Sequence, residues 1–292
     1  MSISNDIVTY SHGVNEENFM KVLTSPQFNH WRDKQDPAFT YHNVNVDAIT
    51  MFGPNPGLIH ITTDITFNGI HCKRVVFIRG DSVAVLLKIK SKLNGNTYVV
   101  YVRQPRVSVG VRDLIEIPAG MLDGFTGTLN SNGVAIKEIK EETGIDIQKD
   151  DLVLLGSGFP SAGGCDELIS LYEVNLLADD SFIQGLIEKK TGELGSHEQI
   201  TVGIAEYEDF KTMLVDGRCR DFKAMSAIML SETMKFRNQS SSPRDITPTI
   251  GENPVMIKKN NIFETILPNS HTYIFYDFLF FHPFQYNKNR NA

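Results

Sequence analysis

The sequence predicts an α/β chain in three parts: a small antiparallel, β-rich N-terminal subdomain over residues 1–79, a larger α/β domain over 80–236, and a linker with an aromatic-rich tail over 237–292. Three observations carry this reading. Between residues 41 and 79, β-rich runs follow one another, closed by Gly53, Gly69 and Gly80. From Ser82 the apolar runs lengthen and alternate with helical patterns. From Arg237 the text turns polar and Pro-rich.

In order, "EENFMKVLTSPQFNHW" places Phe19, Val22, Leu23, Phe28 and Trp31 at helical spacing, broken near Pro26. "YHNVNVDAITMFG", "GLIHITTDITFNG" and "IHCKRVVFIRG" follow as strands of the first sheet. "SVAVLLKIK" and "NTYVVYVRQ" are strands separated by the turn-rich "SKLNGN", and "DLIEIPAG" is a third. A helix is predicted at about 134–143. Strands in "DLVLLGSGF" and "DELISLYEVNLL" come next, then a strand and helix in "QITVGIAEYEDFKTMLVDG". "DFKAMSAIMLSETMKF" closes the domain as a helix with Ala224, Ala227, Ile228 and Met234 along one face. "RNQSSSPRDITPTIGENP" reads as linker. "TYIFYDFLFFHPFQY" then packs eight aromatics into fifteen residues, an extra strand or a patch on the domain.

Composition narrows the function. At 292 residues, 41% hydrophobic and 22% charged, the chain can bury one large core or two smaller ones. A net charge of −7 argues against nucleic acid as a partner, because a duplex binder needs a basic face. Cys72, Cys165 and Cys219 are far apart and odd in number, which argues against a disulfide framework or zinc cluster and for a reducing, cytoplasmic setting. The first twenty residues carry acidic side chains and no apolar core, unlike a signal or transit peptide. No apolar run is long enough to span a bilayer.

The chemistry concentrates in "KEIKEETGI", 137–145. Glu138 and Glu142 lie one turn apart on a helix face with Glu141 beside them, although like charges at this spacing repel. Carboxylate oxygens are the ligands Mg²⁺ and Mn²⁺ prefer, so a divalent cation would balance the cluster. The alternative is a solvated charged face, with Lys137 and Lys140 interleaved. Gly144 fits a left-handed cap that stops the helix.

"LIEIPAGMLDG" upstream and "KEIKEETGI" together resemble the box of the Nudix hydrolases, which Gly120 begins and the glutamate helix ends. "PAGMLDG", "FPSAGGCDE", "FIRGDSVAVLL" and "TSPQFNHW" are similar to the nucleotide-sugar branch, in particular the plant-type UDP/ADP-sugar pyrophosphatases. The resemblance covers about residues 17–236. It departs in three places. Lys137 stands for the box arginine, sixteen residues rather than thirteen separate Gly120 from Lys137, and Leu129 stands where the spacer has a glutamate, leaving Asp123 as the nearby carboxylate. These touch the rigidity of the loop more than metal binding.

The resemblance implies an α/β/α sandwich with a mixed sheet, and hydrolysis of an ADP-sugar or UDP-sugar to nucleoside monophosphate and sugar 1-phosphate with Mg²⁺ or Mn²⁺. It also implies a homodimer whose N-terminal sheet helps build the partner's nucleoside pocket. It assigns metal binding to Glu138, Glu141, Glu142 and the Ala119 carbonyl, with Glu116 as supporting ligand or hydrogen-bond acceptor. "VRQPR" is similar to the family's Gln-x-Arg element, with Arg106 on the diphosphate, Gln104 at the pocket and Arg103 facing away. Gly163, Gly164, Asp166 and Glu167 belong to a loop near the substrate, where Cys165 packs rather than reacts. "GELGSHEQITV" resembles the loop carrying the catalytic glutamate: Glu198 is the first candidate, Glu193 and His197 the alternatives. ADP-ribose or a dinucleotide as substrate, and a non-catalytic nucleotide-binding module, stay open.

Overall fold

The computed structural model describes residues 3–122, 131–192 and 199–240, and in the tail 255–259, 262–266 and 273–275. Residues 1–240 form one compact unit and 241–292 another.

The first sheet has the order β1 (Val8–Tyr10), β2 (Thr40–Phe52), β3 (Asn55–Phe67), β4 (Ile70–Ile78). Its long strands are antiparallel as expected, but β1 joins β2 in parallel. Helices α1 (Glu16–Thr24) and α2 (Pro26–Asp33) meet at Ser25. Its amide caps the end of α1 on Val22, and its hydroxyl accepts the Phe28 amide at the start of α2, where Pro26 needs no partner. That is the break the sequence places near Pro26. Phe19, Val22, Phe28 and Trp31 from these helices bury against Val44, Val46, Ile59, Ile61 and Ile78 of the sheet.

The second sheet begins at Ser82. Its strands are β5 (Ser82–Ser91), β6 (Thr97–Arg106), β7 (Val111–Glu116), β8 (Ala119–Met121), β9 (Val153–Gly158), β10 (Ile169–Ala178), β11 (Lys190–Thr191) and β12 (Ile200–Glu206). The order is β11-β12-β6-β5-β10-β9, with β7 on β6 and β8 on β5. β5 and β10 run parallel while the other pairs are antiparallel, so the sheet is mixed. Helix α3 spans Ser131–Thr143, three residues earlier than its apolar period suggests. α4 (Asp180–Leu186) was not legible as a helix; α5 (Tyr207–Val215) and α6 (Phe222–Ser240) were, although α6 runs four residues into the expected linker.

β5 is inside on both faces. Val83, Val85, Leu87 and Ile89 pack with Ala135 and Ile139 of α3 and Ile183 and Leu186 of α4. Ala84 and Leu86 pack with Phe210 of α5 and Ala224 and Ala227 of α6. This is why "SVAVLLKIK" reads as a continuous apolar run rather than an alternating one, and it makes the domain an α/β/α sandwich. The next residue on the second face is Lys88, also buried. Its ammonium meets Glu173 of β10 at 2.8 Å and Ser231 of α6 at 3.3 Å. In the C-terminal unit, β13 (Val255–Lys259), β14 (Ile262–Ile266) and β15 (Tyr273–Phe275) form a three-stranded antiparallel sheet.

Candidate active site

The second half of α3 faces β8. Glu142 is buried, and its carboxylate accepts the Ala119 amide at 3.1 Å. A side chain at Gly120 would overlap the Glu138 carboxyl, so the box glycine is what lets strand and helix close on each other. α3 then stops at Gly144, φ +74°, whose amide bonds to Lys140 O at 2.9 Å. Two further hydrogen bonds hold this end: the Thr191 hydroxyl donates to Glu142 O at 2.6 Å and the Gly192 amide to Glu141 O at 3.1 Å.

Glu138, Glu141, Glu142, Ala119, Gly120, Gln104, Arg106 and Glu167 line one cleft of about 310 Å³. Gln104 and Arg106 stand two apart on β6, and Arg103 turns away to pair with Glu188. Glu116, buried at the end of β7, accepts Arg106 Nε at 2.6 Å and Lys223 Nζ at 3.1 Å. It thus orients cations rather than lining the cleft.

The substrate-loop residues divide. Glu167 borders the cleft, accepting the Ser82 hydroxyl at 2.8 Å and pairing with Arg79 at 3.3 Å. Gly163, Gly164 and Asp166 line a neighbouring groove with Trp31, Tyr41 and Arg74 instead. There Asp166 accepts the Arg79 and Gly80 amides at 2.9 and 3.3 Å, and Gly164 O accepts the Phe77 amide at 2.7 Å. The loop is stitched to the end of β4, and the structure does not bring these three residues to the carboxylates. Cys165 is half-buried and its thiol is pushed up by burial, away from reactivity. Glu193, His197 and Glu198 lie outside the described residues, as do Asp123 and Leu129.

Sequence reasoning missed Lys223, Asp221, Arg79 and Phe52. Lys223, Arg79 and Phe52 line the cleft. Asp221 accepts Lys223 Nζ at 2.8 Å and the Ile117 amide at 3.1 Å, tying the start of α6 to the β7–β8 junction. An aspartate directly before a helical pattern is a cap signal, but nothing local says which distant amide its other oxygen takes. Burial opposes the charge on Lys223, yet Asp221 and Glu116 hold its pKa above the ordinary lysine value.

Burial, then the charge of Glu138, push the Glu142 carboxyl up to about 8, against the Ala119 amide and Arg106. A divalent cation would relieve that crowding, and an all-oxygen donor set suits Mg²⁺ or Mn²⁺. The glutamates share the cleft without converging: Glu141 leans to Lys137 at 3.3 Å and Glu142 to the Ala119 amide, and among the described residues no three His, Cys, Asp or Glu side chains form a ready-made ion cage. The donor chemistry fits the ion, and gathering it requires the half-buried Glu138 and Glu141 carboxylates to turn toward Glu142.

No family model matches the chain. One curated relative, Nudix hydrolase 14, chloroplastic, from Arabidopsis thaliana, is 31% identical over 257 residues, covering 82% of this chain and 80% of the relative. The chain belongs to the Nudix hydrolase family. A solved structure described as an ADP compounds hydrolase shares this fold, with a TM-score of 0.52 and 16% identity over 71% of this chain and 98% of that one.

Proposed function

We propose that this Nudix hydrolase cleaves a nucleoside diphosphate sugar, an ADP-sugar or UDP-sugar, to nucleoside monophosphate and sugar 1-phosphate. One observation supports this above the others: a single cleft gathers the three box glutamates with two cations suited to a diphosphate, Arg106 and Lys223. Mg²⁺ or Mn²⁺ held by Glu138, Glu141, Glu142 and the Ala119 carbonyl would polarise the phosphoryl oxygens and acidify a bound water. Arg106, its guanidinium aimed by Glu116, holds diphosphate oxygens and offsets charge developing in the transition state. Gln104 borders the same oxygens. Glu198 takes the proton from the attacking water, Glu193 or His197 being the substitutes. The enzyme acts as a homodimer in a reducing compartment such as the cytoplasm; its three cysteines are free thiols.

The test is a screen of nucleoside diphosphate derivatives with Mg²⁺ or Mn²⁺, resolving products by chromatography, on wild type and on Glu193→Gln, His197→Ala and Glu198→Gln. Nucleotide sugars are the expected substrates. Glu198→Gln lowers kcat by about 10² to 10⁴-fold at unchanged metal affinity, the usual contribution of a positioned base. Turnover confined to ADP-ribose or dinucleotides would overturn the sugar assignment. Nucleotide binding with no turnover would make the chain a binding module.

A further inference from the structure

Asp221, the residue before α6, makes more bonds than a helix cap needs. Its Oδ1 accepts the Lys223 amide at 3.1 Å, which caps the helix. One oxygen is enough for that. Its Oδ2 accepts the Ile117 amide, 104 residues earlier, at 3.1 Å. Ile117 is buried in the short gap between β7 and β8 and belongs to neither ladder, so Asp221 satisfies a donor that no strand pairing takes. Two residues on is Ala119, whose amide Glu142 accepts and whose carbonyl belongs to the metal set proposed above.

The Oδ1 atom has a second task. It also accepts Lys223 Nζ at 2.8 Å, and the same Nζ donates to one oxygen of Glu116 at 3.1 Å. The other Glu116 oxygen accepts Arg106 Nε at 2.6 Å. Charges alternate along this row: Asp221, Lys223, Glu116, Arg106. Glu116 alone would cancel the charge of Arg106. Sharing that carboxylate with Lys223 leaves Arg106 positive toward a diphosphate, and Asp221 keeps Lys223 in its place. The row stands on a packed platform, since Ala224, Ala227 and Ile228 of α6 lie in the core with Ala84 and Leu86 of β5.

We infer that Asp221 is a positioning residue for this site. It is buried and does not line the cleft, yet it holds the strand end before Ala119 through Ile117, and Arg106 through Lys223 and Glu116. The inference deepens the hydrolase reading and rests on it. Only a carboxylate serves here. Asparagine has one oxygen and an amide group that donates, so it can cap α6 or hold Ile117 but not both.

Four variants of the full chain test this: Asp221→Ala, Asp221→Asn, Lys223→Met, and Asp221→Ala with Lys223→Met. Each is read by Mn²⁺ titration of the substrate-free protein, by kcat and KM on ADP-glucose and UDP-glucose, and by urea unfolding to check the fold. Asp221→Ala should lower Mn²⁺ affinity and kcat by about 10 to 100-fold each, the usual cost of removing a group that orients a metal ligand. Its KM should not rise, because losing a negative charge favours a diphosphate. Lys223→Met should do the reverse, raising KM and leaving Mn²⁺ affinity undiminished, because it breaks only the arginine limb. The double variant restores the net charge with Ile117 still unanchored, so its Mn²⁺ affinity should stay low. Recovery of wild-type Mn²⁺ affinity in the double variant would show that the charge of Asp221 acts rather than its bonds, and would overturn the inference. Wild-type Mn²⁺ affinity and kcat in folded Asp221→Ala would overturn it too; where that variant does not fold, Asp221→Asn, which can retain the cap, is judged by the same measure. Hydrolysis untouched by Asp221 would sink this inference alone. Mn²⁺ binding that depends on Asp221, in a protein that hydrolyses no nucleotide sugar, would sink the hydrolase reading alone.

Discussion

Glu142 is the residue on which most of the site's electrostatics turns. It sits inside the protein with one amide partner and a second carboxylate close by, and its carboxyl is pushed up to about 8 from an ordinary 4.5. In metal-free protein the folded state therefore keeps a proton on Glu142 up to about pH 8, while the unfolded chain releases it near 4.5. Between those values the folded state binds more protons, so stability falls as pH rises. At about 1.4 kcal/mol for each pH unit of difference, the loss amounts to a few kcal/mol. Urea unfolding in a chelator from pH 5 to 8.5 should show this decline in wild type, and Glu142→Gln should flatten it. Equal slopes in the two proteins would mean another group titrates. Excess Mg²⁺ should flatten the wild-type curve too. At this scale the sequence was legible where chemistry repeats at short spacing: the three glutamates, Gly120 and the Gly144 cap. It was silent on Lys223 and Asp221, because their roles depend on meeting Glu116 and the Ile117 amide, a hundred residues earlier in the chain.

Among the elements, β5 carries the clearest case of buried charge. Lys88 joins β5, β10 and α6 through Glu173 and Ser231, and its ammonium lies 5.6 Å from the centre of the Tyr207 ring of α5. Burial would raise the Glu173 carboxyl, but hydrogen bonds from Lys88, Ser231 and Asn175 hold it below the ordinary value. Lys88→Met should leave that carboxylate buried beside no ammonium and cost about 3–5 kcal/mol. Replacing both residues, Lys88→Met with Glu173→Leu, should recover most of it, because an apolar pair of similar volume removes both desolvation costs. The measurement is the urea midpoint of the three proteins; a double variant no more stable than the single one would refute the account. The strands themselves were readable, since fully buried strands are continuous apolar text. The burial of Lys88 was not, because a lysine in a strand ordinarily faces water. α4 escaped notice because Gly185 and a length of seven residues leave too little period to detect.

For the molecule as a whole, every site element described lies within residues 1–240, and the C-terminal unit has a sheet of its own. Truncation after Ser240 should leave kcat/KM within a few-fold; a collapse of activity in a truncated protein that still folds would give the tail a part in the site. The α/β class was legible because glycine-closed strands give way to longer apolar runs at Ser82 that alternate with helical patterns. The parallel pairing of β1 with β2 was not, since three residues carry no sign of direction. The hook of Asp221 and Lys223 onto the β7–β8 junction has one more consequence, for the order in which a ribosome delivers the chain. The first sheet, the box glycine and the glutamate helix all emerge early, yet the Ile117 amide and Glu116 meet their partners only when the start of α6 is synthesised. β5 likewise waits for β10 to fill one of its sides. A nascent chain halted before Asp221 holds the glutamate helix complete and still lacks the bonds to the Ile117 amide and Glu116, so the β7–β8 junction is tied down only with the last helix of the domain.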